Sequence, residues 1–201
     1  MGTAAPPAKL AHMGLTDVLF GRKKLKAAAG DRLFALSTAA VTLDLLGLKT
    51  AGVAAVVFSP VSAPQFTQAQ TDLDELLVKV AADAGSKIDR KKDSLGYEWL
   101  AITDPDLEDQ VTTAHLVASE LQTRGFGDRL LAAAFKFTGD DNPVFWIYGF
   151  KLGTFWPFIP TGGADKLRNN ARELELKSKL EGELPVEQNL GNWFGLFDAP
   201  I

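Results

Sequence analysis

The chain has 201 residues, 46% of them hydrophobic and 23% charged, with a net charge of −4 at pH 7, which suits one main core and is short for two. It has no cysteine and only two histidines, His12 and His115, more than a hundred positions apart. A disulfide framework, a thiolate nucleophile and the histidine clusters that hold zinc, copper or non-haem iron are therefore excluded.

No run approaches the roughly 20 apolar residues of a spanning helix, and the apolar stretch 53–58 is of strand length. The opening MGTAAPPAKLAHM lacks the hydrophobic segment of a secretory signal. Residues 1–12 read as a vector-derived remnant, because the character of the sequence changes at Met13. Residues 13–30 then form a basic amphipathic arm, and 31–201 a single α+β domain. The expected location is the cytoplasm, with peripheral contact at the inner membrane face.

In the arm, Leu15, Val18 and Leu19 fall at i, i+3 and i+4 with Phe20 beside them, and Arg22, Lys23, Lys24 and Lys26 follow at once. That is the pattern of a short helix lying in a membrane interface or against a partner. The competing reading is a terminal helix docked on the domain's own core with a solvated basic tail. Val18 stands where myristoylation needs Ser or Thr. The arm is three positive while residues 31–201 are eight negative, and an acidic body repels phosphate backbones, which argues against nucleic acid as a partner.

Asp31 is expected to cap a helix carrying Leu33, Leu36, Ala40 and Leu43 and stopped by Gly47. Residues 51–59, valine-rich and ended by Pro60, read as a buried strand. Ser62 and Pro64 open a second helix carried by Phe66, Leu73, Leu76, Leu77, Val80 and Ala84 and closed by Gly85. Strands follow at 87–92 and 96–103, the first polar enough to be an edge. Asp104 and Pro105 are expected to cap a third helix with Leu107, Val111, Ala114, Ala118 and Leu121 as its buried stripe and Gly125 at its end. A hairpin is expected from strands 129–137 and 144–152, then a strand at 154–159, a last helix over 165–180, and a tail with Trp193, Phe194 and Phe197.

This order predicts an α+β fold: one mostly antiparallel sheet with its helices mainly on one face, plus the N-terminal amphipathic helix. The inner strand-helix-strand-strand-helix-strand stretch reads as a ferredoxin-like core, and a secretion-chaperone-like core is the other candidate.

Little here is equipped for chemistry. His115 borders the third helix's buried stripe without a nucleophile or a second histidine, so it reads as structural. Asp104, Asp106, Glu108 and Asp109 lack calcium-loop spacing and suit capping, while Asp140, Asp141 and Asn142 suit a hairpin turn. Gly162 and Gly163, leading toward a helix with Lys166, form a weak anion site that lacks the P-loop pattern. The densest signal is aromatic. Residues 145–150 read as core, whereas Trp156, Phe158, Trp193 and Phe197 are candidates for a partner surface. No metal or cofactor site is expected.

Five segments, MGLTDVLFGR from Met13, GYEWL from Gly96, GFGDRLL from Gly125, GTFWPFIPTG from Gly153 and LPVE from Leu184, with the later Trp193 and Phe194, together resemble the PspA-associated protein PspAB family in their order and spacing. The resemblance implies a bacterial cytoplasmic protein encoded near the membrane-remodelling protein PspA and linked to envelope stress. It implies no enzyme, and no catalytic or ligand residue follows from it. The leading expectation is a non-enzymatic accessory protein that meets PspA or a related membrane-stress protein, with the arm contacting anionic lipid. A secretion-chaperone-like module that shelters a client segment is the second, and a small-molecule or anion binder at Gly162, Gly163 and Lys166 the third. The oligomeric state is left open.

Overall fold

The computed structural model describes residues 28–59, 71, 74, 75, 77–79, 81, 85–139, 141–163 and 166–201. Leu15, Val18, Leu19, Phe20, Arg22, Lys23, Lys24 and Lys26, and with them the N-terminal amphipathic helix, lie outside the described residues.

A helical ribbon comes first: α1 (Ala28–Asp31), a 3-10 turn (Arg32–Phe34), α2 (Ala35–Thr38) and α3 (Ala40–Leu45). Leu33, Leu36 and Leu43 are buried as expected, but Asp31 lies inside the ribbon and its side chain makes no capping bond. Gly47 ends the ribbon, with the Leu48 N–H reaching back to the Leu43 carbonyl. Of the helix expected over 62–84, Thr71, Asp74, Glu75, Leu77, Val78, Lys79 and Ala81 are helical and the rest lies outside the described residues.

Six strands make the main sheet: β1 (Lys49–Phe58), β2 (Lys87–Lys92), β3 (Glu98–Thr103), β4 (Leu130–Thr138), β5 (Val144–Gly149) and β6 (Thr154–Phe158). Their order is β2-β3-β1-β4-β5-β6, and every neighbouring pair is antiparallel. β1 and β2 both run opposite to β3, which lies between them, so β2-β3-β1-β4 is the split arrangement of a ferredoxin-like core. β5 and β6 extend it past β4. The charged strand β2 is an edge, as its composition predicts. Past β6, the edge is covered where Phe155 bridges Val186.

Between β3 and β4 runs α4 (Leu107–Thr123). Its cap is Asp106, whose carboxylate accepts from the Glu108 and Asp109 N–H groups. Asp104, expected in that role, is instead 4% exposed and accepts the Ser86 hydroxyl at 2.6 Å and the Asp106 N–H at 2.9 Å. The reason is local: Pro105 extends the chain by two residues before helical bonding begins, so the first aspartate turns inward. Gly125, at φ 83°, lets Phe126 N–H close the helix on the Leu121 carbonyl.

Register and alternation divide the sheet into two faces. Ala54, Val56, Leu100, Ile102, Phe135, Trp146 and Tyr148 share the face that α4 and the ribbon cover. Burial pushes the Tyr148 hydroxyl up, with Arg32 and Asp31 acting on it in opposite senses, so the start of the ribbon lies over this ring. The other face carries Ala55, Val57, Trp99, Ala101, Ala132, Ala134, Ile147 and Trp156. The last residues cover it. Lys91 of β2 donates to the Pro200 carbonyl at 2.7 Å, and Lys136 of β4 to the Ile201 carbonyl at 3.1 Å. The end of the tail therefore crosses β3 and β1, where alanine side chains leave it room.

After β6 come a small two-stranded ribbon, β7 (Pro160–Gly162) with β8 (Leu167–Arg168), and then α5 (Asn170–Leu180). The last helix starts five residues later than expected because β8 takes up Leu167 and Arg168.

Gly149 carries the indole of Trp156: a Cβ there would stand 2.9 Å from the ring, and the indole is held by its Nε1–H bond to the Phe194 carbonyl at 3.0 Å. Gly149→Ala should lower stability by about 1–3 kcal/mol through overpacking, seen as a lower urea midpoint at unchanged slope. An unchanged midpoint would show that the indole has room to move.

Candidate partner-binding site

Where β6, α5 and the tail meet, one buried ion pair organises the chain. Glu173 is 1% exposed. Its carboxylate accepts from the Arg168 Nε at 2.9 Å and from the Ile159 backbone N–H at 2.8 Å. Arg168 also donates to backbone, with Nη1 on the Trp193 carbonyl at 2.7 Å and Nη2 on the Pro157 carbonyl at 3.2 Å. Its guanidinium lies 5.0 Å over the Phe158 ring. Burial pushes the Glu173 carboxyl up, and the hydrogen bonds from Arg168 and Ile159 and the Arg168 charge pull it part of the way back.

Beside this pair opens a cavity of about 360 Å³ lined by Arg168, Asn170, Glu173, Leu174, Leu190 and Trp193. Its floor is the ion pair, and one wall is Trp193, whose indole N–H is bonded to the Glu187 carbonyl at 2.9 Å. Leu174 and Leu190 are 46% and 52% exposed, so the mouth is aliphatic and open to water. The cavity offers no free base or nucleophile. It can admit an apolar side chain against an indole, which is how protein partners are anchored.

The four aromatic residues expected at a partner surface are indeed brought together, but mostly inside. Trp156, Phe158 and Trp193 are buried and Phe197 is half-buried, its ring 4.9 Å from that of Phe158. The tail folds back over β6 and covers them. Trp193 lines the cavity, and the exposed apolar groups around it are Leu174 and Leu190. Sequence reasoning missed both leucines. Leu174 stands two residues before the buried Leu176 on a short helix, and that spacing places it on the opposite side.

Gly162, Gly163 and Lys166, the weak anion site expected from the sequence, lie on the turn between β7 and β8. Both glycines make a turn with positive φ, but α5 begins only at Asn170, and its first turn is capped by the Asn169 side chain accepting from the Arg172 N–H at 3.1 Å. The Lys166 ammonium is engaged by Asp198 at 2.8 Å. His115 joins two helices, its Nε2 3.5 Å from the Asp31 carboxylate and its ring 4.9 Å from that of Phe34. Asp141 and Asn142 line a loop beside Arg172. Among the described residues no group of three or more histidines or carboxylates could hold a metal ion, and no helix is long and apolar enough to cross a membrane.

Removing one partner of a buried pair leaves an uncompensated charge, so Arg168→Met should destabilise the protein by about 3–5 kcal/mol. Without Arg168 the folded-state pKa of Glu173 rises further above its unfolded value. Stability that depends on such a group is present in acid and lost as pH rises through the folded pKa, so the loss should be larger at about pH 8 than at about pH 4. Arg168→Met combined with Glu173→Leu should recover most of it. Urea unfolding of the three proteins at both pH values checks this, and a pH-independent loss would contradict it.

The family model PspAB, described as PspA associated protein B, matches residues 13–201. No curated protein matches the chain, and no solved structure does.

Proposed function

The chain belongs to the PspA associated protein B family, and from that premise we propose that it is a non-enzymatic accessory protein of a PspA-type membrane-stress system. It binds PspA or a related protein and attaches to the anionic inner membrane surface through its basic arm. The observation that carries this reading is the matched span: it begins at Met13, so the arm is part of the family region while residues 1–12 are not. Arg22, Lys23, Lys24 and Lys26 near an anionic surface contribute about 1 kcal/mol each. Leu15, Val18, Leu19 and Phe20 add a short apolar face, which makes attachment reversible and salt-sensitive. The acidic remainder is repelled by the same surface, so the arm is the point of contact.

We assign the protein partner to the leucine mouth. Leu174 and Leu190 expose aliphatic surface beside a buried indole, an opening into which an aromatic or aliphatic side chain of the partner can insert. The same mouth favours a second reading, a module that shelters a client segment. The two differ in whether the captured protein is folded PspA or an unfolded client.

Flotation on phosphatidylglycerol vesicles at low and high salt tests the arm. The wild type should float at low salt and be released at high salt, and the Arg22→Gln/Lys23→Gln/Lys24→Gln/Lys26→Gln variant should stay down in both. Equal flotation of the two proteins ends the arm reading. For the mouth, Leu174→Glu/Leu190→Glu should weaken capture of purified PspA by about tenfold or more, as losing anchors of over 1 kcal/mol each implies. Undiminished capture moves the interface elsewhere.

A further inference from the structure

The tail is held to the body of the protein in two unlike ways. At Trp193 and Phe194 the hold is deep: the Trp193 carbonyl accepts from Arg168 and the Phe194 carbonyl from the buried Trp156 indole, while the Trp193 indole donates to the Glu187 carbonyl. Beyond Gly195, among the described residues, every hydrogen bond from the rest of the chain comes from a lysine. Lys166 meets the Asp198 carboxylate, Lys91 the Pro200 carbonyl and Lys136 the Ile201 carbonyl. Lys166 and Asp198 are 57% and 45% exposed and the Lys91 bond is exposed as well, and contacts of that kind add little against water. The one backbone bond within residues 196–201, from the Ala199 N–H to the Leu196 carbonyl, is internal to the segment and travels with it.

We propose that residues 196–201 are a strap hinged at Gly195, which lifts from the sheet as a unit while the sheet and the root of the tail at Trp193 stay folded.

The packing sets both the hinge and the extent of the strap. With the strap down, Gly195 has no room for a side chain: a Cβ would stand 2.5 Å from the Phe197 ring and 2.9 Å from that of Phe158. Once Phe197 leaves, the glycine backbone turns freely. The apolar hold is small. Leu196 is buried, but Phe197, Ala199, Pro200 and Ile201 are half-buried and Asp198 is exposed, and Phe197 sets its ring edge-on against Phe158. The floor keeps its shape without the strap, because β1 is bonded to β3 on one side and to β4 on the other. A segment with few buried groups and water-exposed bonds opens at far lower cost than the central strands it lies on. Raised, the strap uncovers Ala55, Ala101 and part of the Phe158 ring beside the Trp193 cavity, whose indole wall stays because its carbonyl is bound by Arg168. Apolar surface next to that cavity is therefore shown in one state and hidden in the other, with three ammonium groups setting the balance. The strap stands whether or not a partner enters the cavity.

The chain has no native cysteine, so an introduced one reports without background. Ala54 and Ala55 are both 0% exposed and adjacent on β1, but Ala54 faces the helices and Ala55 the strap. A thiol reagent should modify Ala55→Cys about tenfold or more faster than Ala54→Cys, and with a weaker urea dependence, because only the latter needs the sheet to open. Adding Lys91→Met and Lys136→Met should speed modification of Ala55→Cys by about threefold or more. Should either cysteine variant fail to fold, the unaltered chain decides: chymotrypsin in native buffer should cut after Phe197, seen by mass as loss of residues 198–201, well before it cuts after Trp146 or Phe150 in the sheet. Equal modification rates with one urea dependence, or a Phe197 bond that resists until the sheet itself is cut, overturn the strap. A rate at Ala55→Cys that ignores the two lysine substitutions overturns their part in holding it.

Discussion

A six-stranded sheet that is apolar on both faces must be covered on both, and most of this structure follows from how that is done. Helices cover one face in the usual way, with α4 laid across β1, β3 and β4 and the ribbon packed against α4. The second face is closed by chain without regular structure, running from Trp193 to Ile201. A tail of that kind has few backbone bonds of its own, so it holds its place only where the sheet supplies donors to its carbonyls. Lys91, Lys136, Trp156 and Arg168 do so.

Arg168 is the most consequential of these because it is itself positioned by a buried carboxylate. Glu173 fixes the guanidinium plane, and the guanidinium then binds a carbonyl from β6 and one from the tail. A lysine could not take its place: the fork geometry lets one side chain meet three groups at once. The pair is weak as a source of stability, since both charges are taken from water. Its worth lies in fixing one route for the tail, which in turn shapes the cavity at Trp193.

Much of the fold was legible in the sequence. Alternation and turn residues placed the six main strands within a few positions, the charged strand at residues 87–92 was read as an edge, and Gly47 and Gly125 marked their helix ends. What could not be read were decisions made by distant neighbours. Trp156, Phe158 and Trp193 looked alike as surface or as core, because alternation tells that a residue is apolar and not what lies over it. Arg168 and Glu173 are five apart, outside the helical spacing that flags a pair, and meet only because β8 turns into α5. Asp104 and Asp106 both look like caps, and the proline between them decides which one turns inward. In the ribbon, the buried set Leu33, Leu36 and Leu43 was recognised while the exposed Phe34, Val41 and Leu45 went unnoticed, although the same period displays both.

The two margins of the sheet have unequal chemistry. Beyond β6, Phe155 exchanges backbone bonds with Pro185 and Glu187, which seals that margin. Along β2, Lys87, Arg90, Lys91 and Lys92 stand among few apolar groups, so cations guard that margin against a further strand. One margin is thus closed by backbone bonds and the other by charge, two different means of keeping a sheet from gaining a further strand.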